Sequence, residues 1–372
     1  GDLWSPGPPL KKHPLPPEVQ RRLQGLRVAG RLRGDPLGVR EILVRAPNWL
    51  GDAVMSLPVL AGLGEHFPQA EITVLAAPRV APLFAGQPGI AEVIVYPPGR
   101  GKWPLLRSLR SRFDLGLALP NSFESALGLW LAGARQRVGY NTDGRRAFLT
   151  LAIKGRTGLK GLHTVYYYLG LLRALGEVKD FTYPRLFLTL QEIEAAQGLL
   201  AAGGWEPGAP LVGLSPGAAY GPAKRWPPER FAALAAGLEQ EFGAGLVLLG
   251  GPEDRPVAQE FKRYFTGPVL DLVGRTDLRQ ALGVLSQLKL LVTNDSGLMH
   301  AAGALGVPLV ALFGSTDPQA TGPFTDRATV LYHPMPCSPC LKRTCPTDYE
   351  CLTAITVDEV RAAARNRLTE TG

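Results

Sequence analysis

The stretch LLVTNDSGLMHAAGALGVPLVALFGSTDP, residues 290–318, decides the fold. Its apolar start, 290–292, reads as a buried strand, and the residues TNDSG at 293–297 turn the chain sharply. An Ala- and Leu-rich helix follows as far as Gly306. Val307 and Pro308 then restart the chain as a second apolar strand, 309–313, which ends in the polar loop 314–317. Strand, loop, helix, strand and loop make a βαβ unit with both loops at strand carboxyl ends, where open α/β sheets bind ligands. A polar turn at a helix N-terminus also presents free backbone N–H groups and the positive end of the helix dipole, which suit phosphate. Asp295 or Ser296 in that turn is equally suited to cap the helix, so capping and ligand binding both stay open at this point.

Two earlier loops repeat the pattern. SPGAAYGPAKRWP at 215–227 follows an apolar run at 211–215 and combines small residues, which let backbone approach a ligand closely, with the cations Lys224 and Arg225. Ser215 and Gly217 offer backbone N–H donors, and Lys224 a point charge, as a diphosphate requires. The spacing of a Walker loop is absent. GGPED at 250–254 follows the next strand, 246–249, and its Glu253 is a carboxylate of the kind that holds ribose hydroxyls. With Asp295, Ser296, Gly297, Leu298 and His300, these residues form a candidate anion site at successive strand ends. The alternatives are ordinary: a surface cation for Arg225, caps for Glu253 and Asp254, a satisfied core histidine for His300.

The first half of the chain is built alike. A strand at 42–44 leads through Asn48 and Gly51 to Asp52, then to a helix running to about residue 66 with a kink or break at Pro58. Strands follow at 72–76, 93–96, 115–119 and 137–140, and the turn Pro120-Asn121-Ser122 opens a helix at 124–132. Asp52, in an otherwise apolar segment, is either a helix cap or a general base able to take a proton from an attacking hydroxyl. Strands alternating with helices predict an α/β chain of two Rossmann-like domains facing across a central cleft. The expected boundaries are a loose Pro-rich and basic arm at 1–38 with a short basic helix near 18–26, one domain at 39–180, a second at 181–355 with a cysteine loop at 336–352, and a closing helix at 356–372.

The 372 residues carry 45% hydrophobic and 19% charged side chains, which suits a globular chain rather than a disordered one. No apolar run is long enough to span a bilayer, no signal pattern opens the chain, and the expected location is the cytoplasm. The net charge of +8 favours anionic partners without choosing among them. No zinc-finger spacing or nucleic-acid motif is present, so no nucleic-acid partner is expected. The four cysteines, Cys337, Cys340, Cys345 and Cys351, cluster near the end. They suggest a structural zinc clip or a redox-sensitive pair, or else a loop of partly buried thiols. There is no Asp-x-Asp and no His cluster with ligand spacing, so a diphosphate leaving group is expected to be neutralised by Lys224, backbone amides and a helix dipole, with no cofactor or catalytic metal required.

Several long segments, in order, resemble glycosyltransferase family 9: ILVRAPNWLGDAVMSLPVL, LPNSFESAL, RVGYNTDGRR, GAAYGPAKRWPPERFA, the opening stretch and CSPCLKRTC. The resemblance covers about residues 40–368. It implies a GT-B fold and inverting transfer of L-glycero-D-manno-heptose from ADP-heptose to the heptose of the lipopolysaccharide inner core, by a monomer peripheral to the cytoplasmic face of the inner membrane. Asp52 matches the family's proposed catalytic base, Lys224 the lysine on the donor phosphates, and Asp295 to His300 the donor-binding D-[TS]-G-x-x-H motif. Glu253 matches the acidic residue near the ribose more loosely. Asn48, Asn121, Arg137 and Arg145, with Arg45, Lys102 and Arg146, are candidates for a phosphorylated acceptor. A family-9 enzyme with another sugar or acceptor, and a non-catalytic nucleotide- or anionic-glycan-binding protein, are the alternatives.

Overall fold

A computed structural model describes residues 10–34, 38–206 and 208–370. The chain divides into two compact units, Gly1–Phe187 and Leu188–Gly372. In the first, the strands are β1 (Lys12–Pro14), β2 (Arg27–Ala29), β3 (Glu41–Arg45), β4 (Glu71–Ala76), β5 (Ile90–Val95), β6 (Leu115–Ala118), β7 (Gln136–Tyr140), β8 (Leu151–Lys154) and β9 (Asp180–Thr182). Seven of them form one sheet in the order β2-β8-β7-β6-β3-β4-β5, parallel except where β2 meets β8. The second unit has β10 (Leu211–Ser215), β11 (Gly245–Leu248), β12 (Leu270–Asp271), β13 (Leu290–Asn294), β14 (Leu309–Phe313) and β15 (Ala328–Tyr332). Their order is β12-β11-β10-β13-β14-β15, all parallel.

The α/β class is as expected, and the two sheets share one winding. Each chain runs outward from a central strand, then crosses to the other side and runs outward again. The reversal falls between β3 and β6 in the first unit and between β10 and β13 in the second. These are the points where an open sheet leaves a crevice at its carboxyl edge. The central strands are buried on both faces: β3 from Ile42 to Arg45, and all of β10, β13 and β14. That burial is why they read as continuous apolar runs rather than alternating ones.

Two expectations need correction. The described part of the supposed loose arm is built into the first unit. Strand β1 pairs antiparallel with β9, β2 extends the sheet at β8, and the helix Pro17–Gln24 buries Val19 and Leu23 between Leu15 and Leu26. Val19 and Leu23, four apart, share one face of the helix, and Leu15 and Leu26 flank it; residues 1–9 and 35–37 lie outside the described residues. The domain boundary lies after Phe187, not at 180, because β9 is bound to β1 and Gln87 takes both backbone groups of Phe187. The break expected near Pro58 is present: the helix read from Asp52 to about residue 66 is two helices, Leu50–Met55 and Leu57–His66, which meet at Ser56. Pro58 opens the second helix, where no intrahelical N–H is lost. The closing helix, Val357–Thr369, is fastened by a Thr356–Glu359 capping box and buries Val360, Ala363 and Ala364 in the core of the second unit.

Candidate active site

At the switch point of the second unit, the ends of β10 and β13 are stapled by one side chain. The amide of Asn294 donates to the carbonyls of Pro216 (2.8 Å) and Gly217 (3.4 Å), and its oxygen accepts from the Trp226 N–H at 3.0 Å. Asn294 is fully buried, so these partners satisfy a group that would be costly alone. The staple fixes the loop that carries Lys224. Its ammonium lies 2.6 Å from Asp295 Oδ2, and Thr316 Oγ1 donates to the same oxygen at 2.6 Å. Lys224 also sits 5.0 Å from the centre of the Tyr220 ring. The structure thus joins two predicted donor residues directly, and adds Asn294, Thr316 and Tyr220, which the sequence reading did not name.

The turn after β13 resolves the capping question. Ser296 is the N-cap of the helix Gly297–Ala304: its hydroxyl accepts from the Met299 N–H at 3.4 Å and lies 3.2 Å from Thr293 Oγ1. Asp295 does not cap; it is committed to Lys224 and Thr316. Gly297 and Leu298 are half-buried in the first helical turn, and His300 is buried one turn on.

In the loop after β11, the buried carboxylate is Asp254, whereas Glu253 is exposed. Asp254 accepts from the Gly251 N–H at 3.1 Å, and burial pushes its carboxyl upward. A Cβ on Gly217 would come within 2.1 Å of this carboxyl group, so only glycine fits there. Arg225 donates to the Ala218 carbonyl (3.1 Å) and stands 3.9 Å from Asp254 Oδ1. Asp254 Oδ1, Arg225 Nε and Ser315 Oγ are buried with no hydrogen-bond partner among the described residues. These unpaired buried polar atoms, at the ends of neighbouring strands, are groups a polar ligand could satisfy. Ser215, at the end of β10, is buried.

The first unit centres on the helix Leu50–Met55 after β3. Trp49 is its N-cap without a side-chain bond, so Asp52, in the first turn, is not the cap. Tyr168 donates to Asp52 Oδ1 at 2.9 Å. Nearby, Asn48 Oδ1 accepts from Arg45 at 2.9 Å and from Tyr96 at 3.3 Å, and the Arg45 guanidinium stacks 4.4 Å from the Tyr96 ring centre. Burial lowers the Arg45 pKa to about 10. Asn48 itself is exposed, with its orientation set by those two donors.

The other acceptor candidates are engaged with the protein's own groups. Arg145 is fully buried and donates to the carbonyls of Tyr140, Pro120 and Ser122, to Ser125 Oγ and to Asn121 Oδ1. Its fork is spent holding the turn after β6 to the end of β7, and Asn121 is part of that clamp. Arg137 donates to the Phe148 and Ala134 carbonyls, and burial lowers its pKa. Lys102 pairs with Glu124 at 2.6 Å, and Arg146 donates to the Leu149 carbonyl. The sequence showed the charges but not the carbonyls they serve.

The cysteine loop packs against the loop that carries Lys224. All four thiols are free: Cys337 exposed, Cys340 and Cys345 half-buried, Cys351 buried. Among the described residues no group of three or more His, Cys, Asp or Glu is placed to hold a metal. The loop holds the Lys224 loop through three hydrogen bonds, each to a backbone carbonyl. The Ala223 N–H donates to the Arg343 carbonyl (3.0 Å), Arg343 Nε to the Tyr220 carbonyl (2.8 Å), and the Tyr220 hydroxyl to the Leu341 carbonyl (2.7 Å).

Comparison with known proteins places this geometry. Residues 102–350 match the model of glycosyltransferase family 9 (heptosyltransferase). The chain is 36% identical over 308 residues to lipopolysaccharide heptosyltransferase 2 of Salmonella typhimurium, covering 78% of this chain and 87% of that protein. It is 32% identical over 307 residues to lipooligosaccharide heptosyltransferase 2 of Haemophilus influenzae, covering 78% and 88%. Its fold is similar to that of Escherichia coli ADP-heptose lipopolysaccharide heptosyltransferase II, with a TM-score of 0.78 and 31% identity over 89% of this chain and 99% of that one. A family 9 glycosyltransferase from Veillonella parvula gives a TM-score of 0.80 at 27% identity, over 90% and 99%. No helix among the described residues is long and apolar enough to cross a membrane. The chain belongs to glycosyltransferase family 9, the heptosyltransferases.

Proposed function

We propose that the chain transfers L-glycero-D-manno-heptose from ADP-heptose to the heptose of the lipopolysaccharide inner core, with inversion at C1. The names of its relatives support the substrates. The observation that carries the chemistry is the pairing of Lys224 with Asp295 and Thr316 at the switch point of the second unit, beside unpaired buried polar atoms. In this reading the second unit binds the donor and the first binds the acceptor.

The step is one displacement. The acceptor oxygen forms a bond to C1 of the donor heptose as the C1–O bond to the diphosphate breaks, and the electron pair leaves with ADP. Asp52 takes the acceptor's hydroxyl proton. Lys224, the amides of the turn at 295–297 and the N-terminus of the helix Gly297–Ala304 stabilise the charge gathering on ADP, so no metal is assigned a part. Asp254, rather than Glu253, is the buried carboxylate in the loop after β11. The acceptor's setting puts the enzyme at the cytoplasmic face of the inner membrane, as a peripheral protein.

ADP release from ADP-heptose with a heptose-terminated core acceptor is the test. The wild type should turn over, and Asp52→Ala should lose on the order of 10²–10⁴ in kcat while ADP binding stays nearly intact. Near-normal turnover by Asp52→Ala would remove the base assignment, and turnover only with another nucleotide sugar would remove the donor.

A further inference from the structure

Three consecutive tyrosines, Tyr166, Tyr167 and Tyr168, occupy the short helix Thr164–Leu169, and the structure gives each a separate partner. Tyr166 packs edge-on against Phe181 at 5.7 Å. Tyr167 stacks on Tyr140 at 4.6 Å with 25° between the rings, and its carbonyl accepts from the Tyr140 hydroxyl at 2.6 Å. Tyr168 meets Tyr167 at 5.7 Å in a T-shaped contact and is 6% exposed. It reaches over to the helix Leu50–Met55 and donates its hydroxyl to Asp52 Oδ1 at 2.9 Å.

We infer that Tyr168 is a positioning residue for the reaction, holding the Asp52 carboxylate in the ionised state and orientation from which it receives the acceptor's proton. The inference rests on the reading of Asp52 as the base and adds a residue to it. A phenol locked in an aromatic stack has little freedom, so the carboxylate it holds loses little freedom at the moment of reaction. Burial and the neighbouring Asp52 charge push the Tyr168 phenol well above its ordinary range, so it remains a donor across the working pH. A hydrogen bond to the charged form of a carboxyl favours that form. Removing it should therefore make Asp52 protonate at higher pH.

The experiment compares wild type, Tyr168→Phe, Asp52→Ala and the double variant in ADP release from pH 5 to 9, with ADP binding and thermal unfolding as controls. Phenylalanine preserves the ring and its packing, so Tyr168→Phe should bind ADP normally. Its kcat should fall on the order of tenfold, with little change in donor KM, and the acid limb of its rate profile should move up by about one pH unit. Adding Tyr168→Phe to Asp52→Ala should cost nothing further, because the hydroxyl acts only through the carboxylate. If Asp52→Ala is inactive while Tyr168→Phe keeps the wild-type limb and kcat, the inference fails and the base reading stands. A further loss in the double variant also overturns it. If Asp52→Ala turns over normally, the base reading itself is at fault and Tyr168 has nothing to position.

Discussion

Lys224 and Asp295, 71 residues apart in sequence, form an ion pair of 2.6 Å in which the carboxylate is 6% and the lysine 15% exposed, and Thr316 donates to the same oxygen. The lysine's site is therefore set before any ligand arrives. Its charge is also partly offset, so under the proposed donor role the turn's amides and helix dipole would carry more of a diphosphate than an unpaired lysine would require.

The pairing predicts a double-mutant cycle. Lys224→Met leaves a carboxylate buried without its cation and should cost about 3 kcal/mol, the lower end for breaking a buried pair. Asp295→Asn should cost somewhat less, because Lys224 can move toward solvent. The double variant should be less destabilised than the sum of the two. Urea unfolding of the four proteins measures this; simple additivity would show that the pair contributes nothing of its own.

Arg145 gives the opposite kind of prediction. It is among the largest fully buried side chains, and its guanidinium serves three carbonyls, a hydroxyl and an amide oxygen. Lysine has neither the fork nor the reach to serve them together. Arg145→Lys should lower stability by about 3 kcal/mol, since buried acceptors lose their donors. The acceptor KM of the folded fraction should stay unchanged. A raised KM with an unaltered melting temperature would return Arg145 to the substrate.

These cases show what the sequence could and could not disclose. The parallel sheets were legible because strands buried on both faces leave unbroken apolar runs, as at 290–292 and 309–313. The polar loops were legible because small and charged residues follow those runs at once. Nothing in a linear pattern tells a buried arginine that serves carbonyls from an exposed one that serves a phosphate; only the fold brings Pro120 and Tyr140 to Arg145. Tyr168 was hidden for the same reason. Three tyrosines in a row look alike until the helix turns one of them toward a residue 116 positions away. The short helix near 18–26 was legible, but its proline and basic neighbours hid that Val19 and Leu23 are buried against the first unit.

Asp254 supplies a prediction in pH. Burial, with the nearby Glu253 charge, raises its pKa in the folded protein above the reference value of 3.8, against the opposing bonds from backbone. In the window above that reference the folded state binds more protons than the unfolded one, so Asp254 makes stability fall as pH rises through its folded pKa. Asparagine can still accept from the Gly251 N–H but cannot ionise. Asp254→Asn should therefore lose less stability than wild type between pH 4 and 7, and the two unfolding curves should converge toward the acid end. Chemical unfolding at a series of pH values decides it. Parallel stability profiles would mean that Asp254 carries its charge in the folded protein as easily as in the unfolded chain.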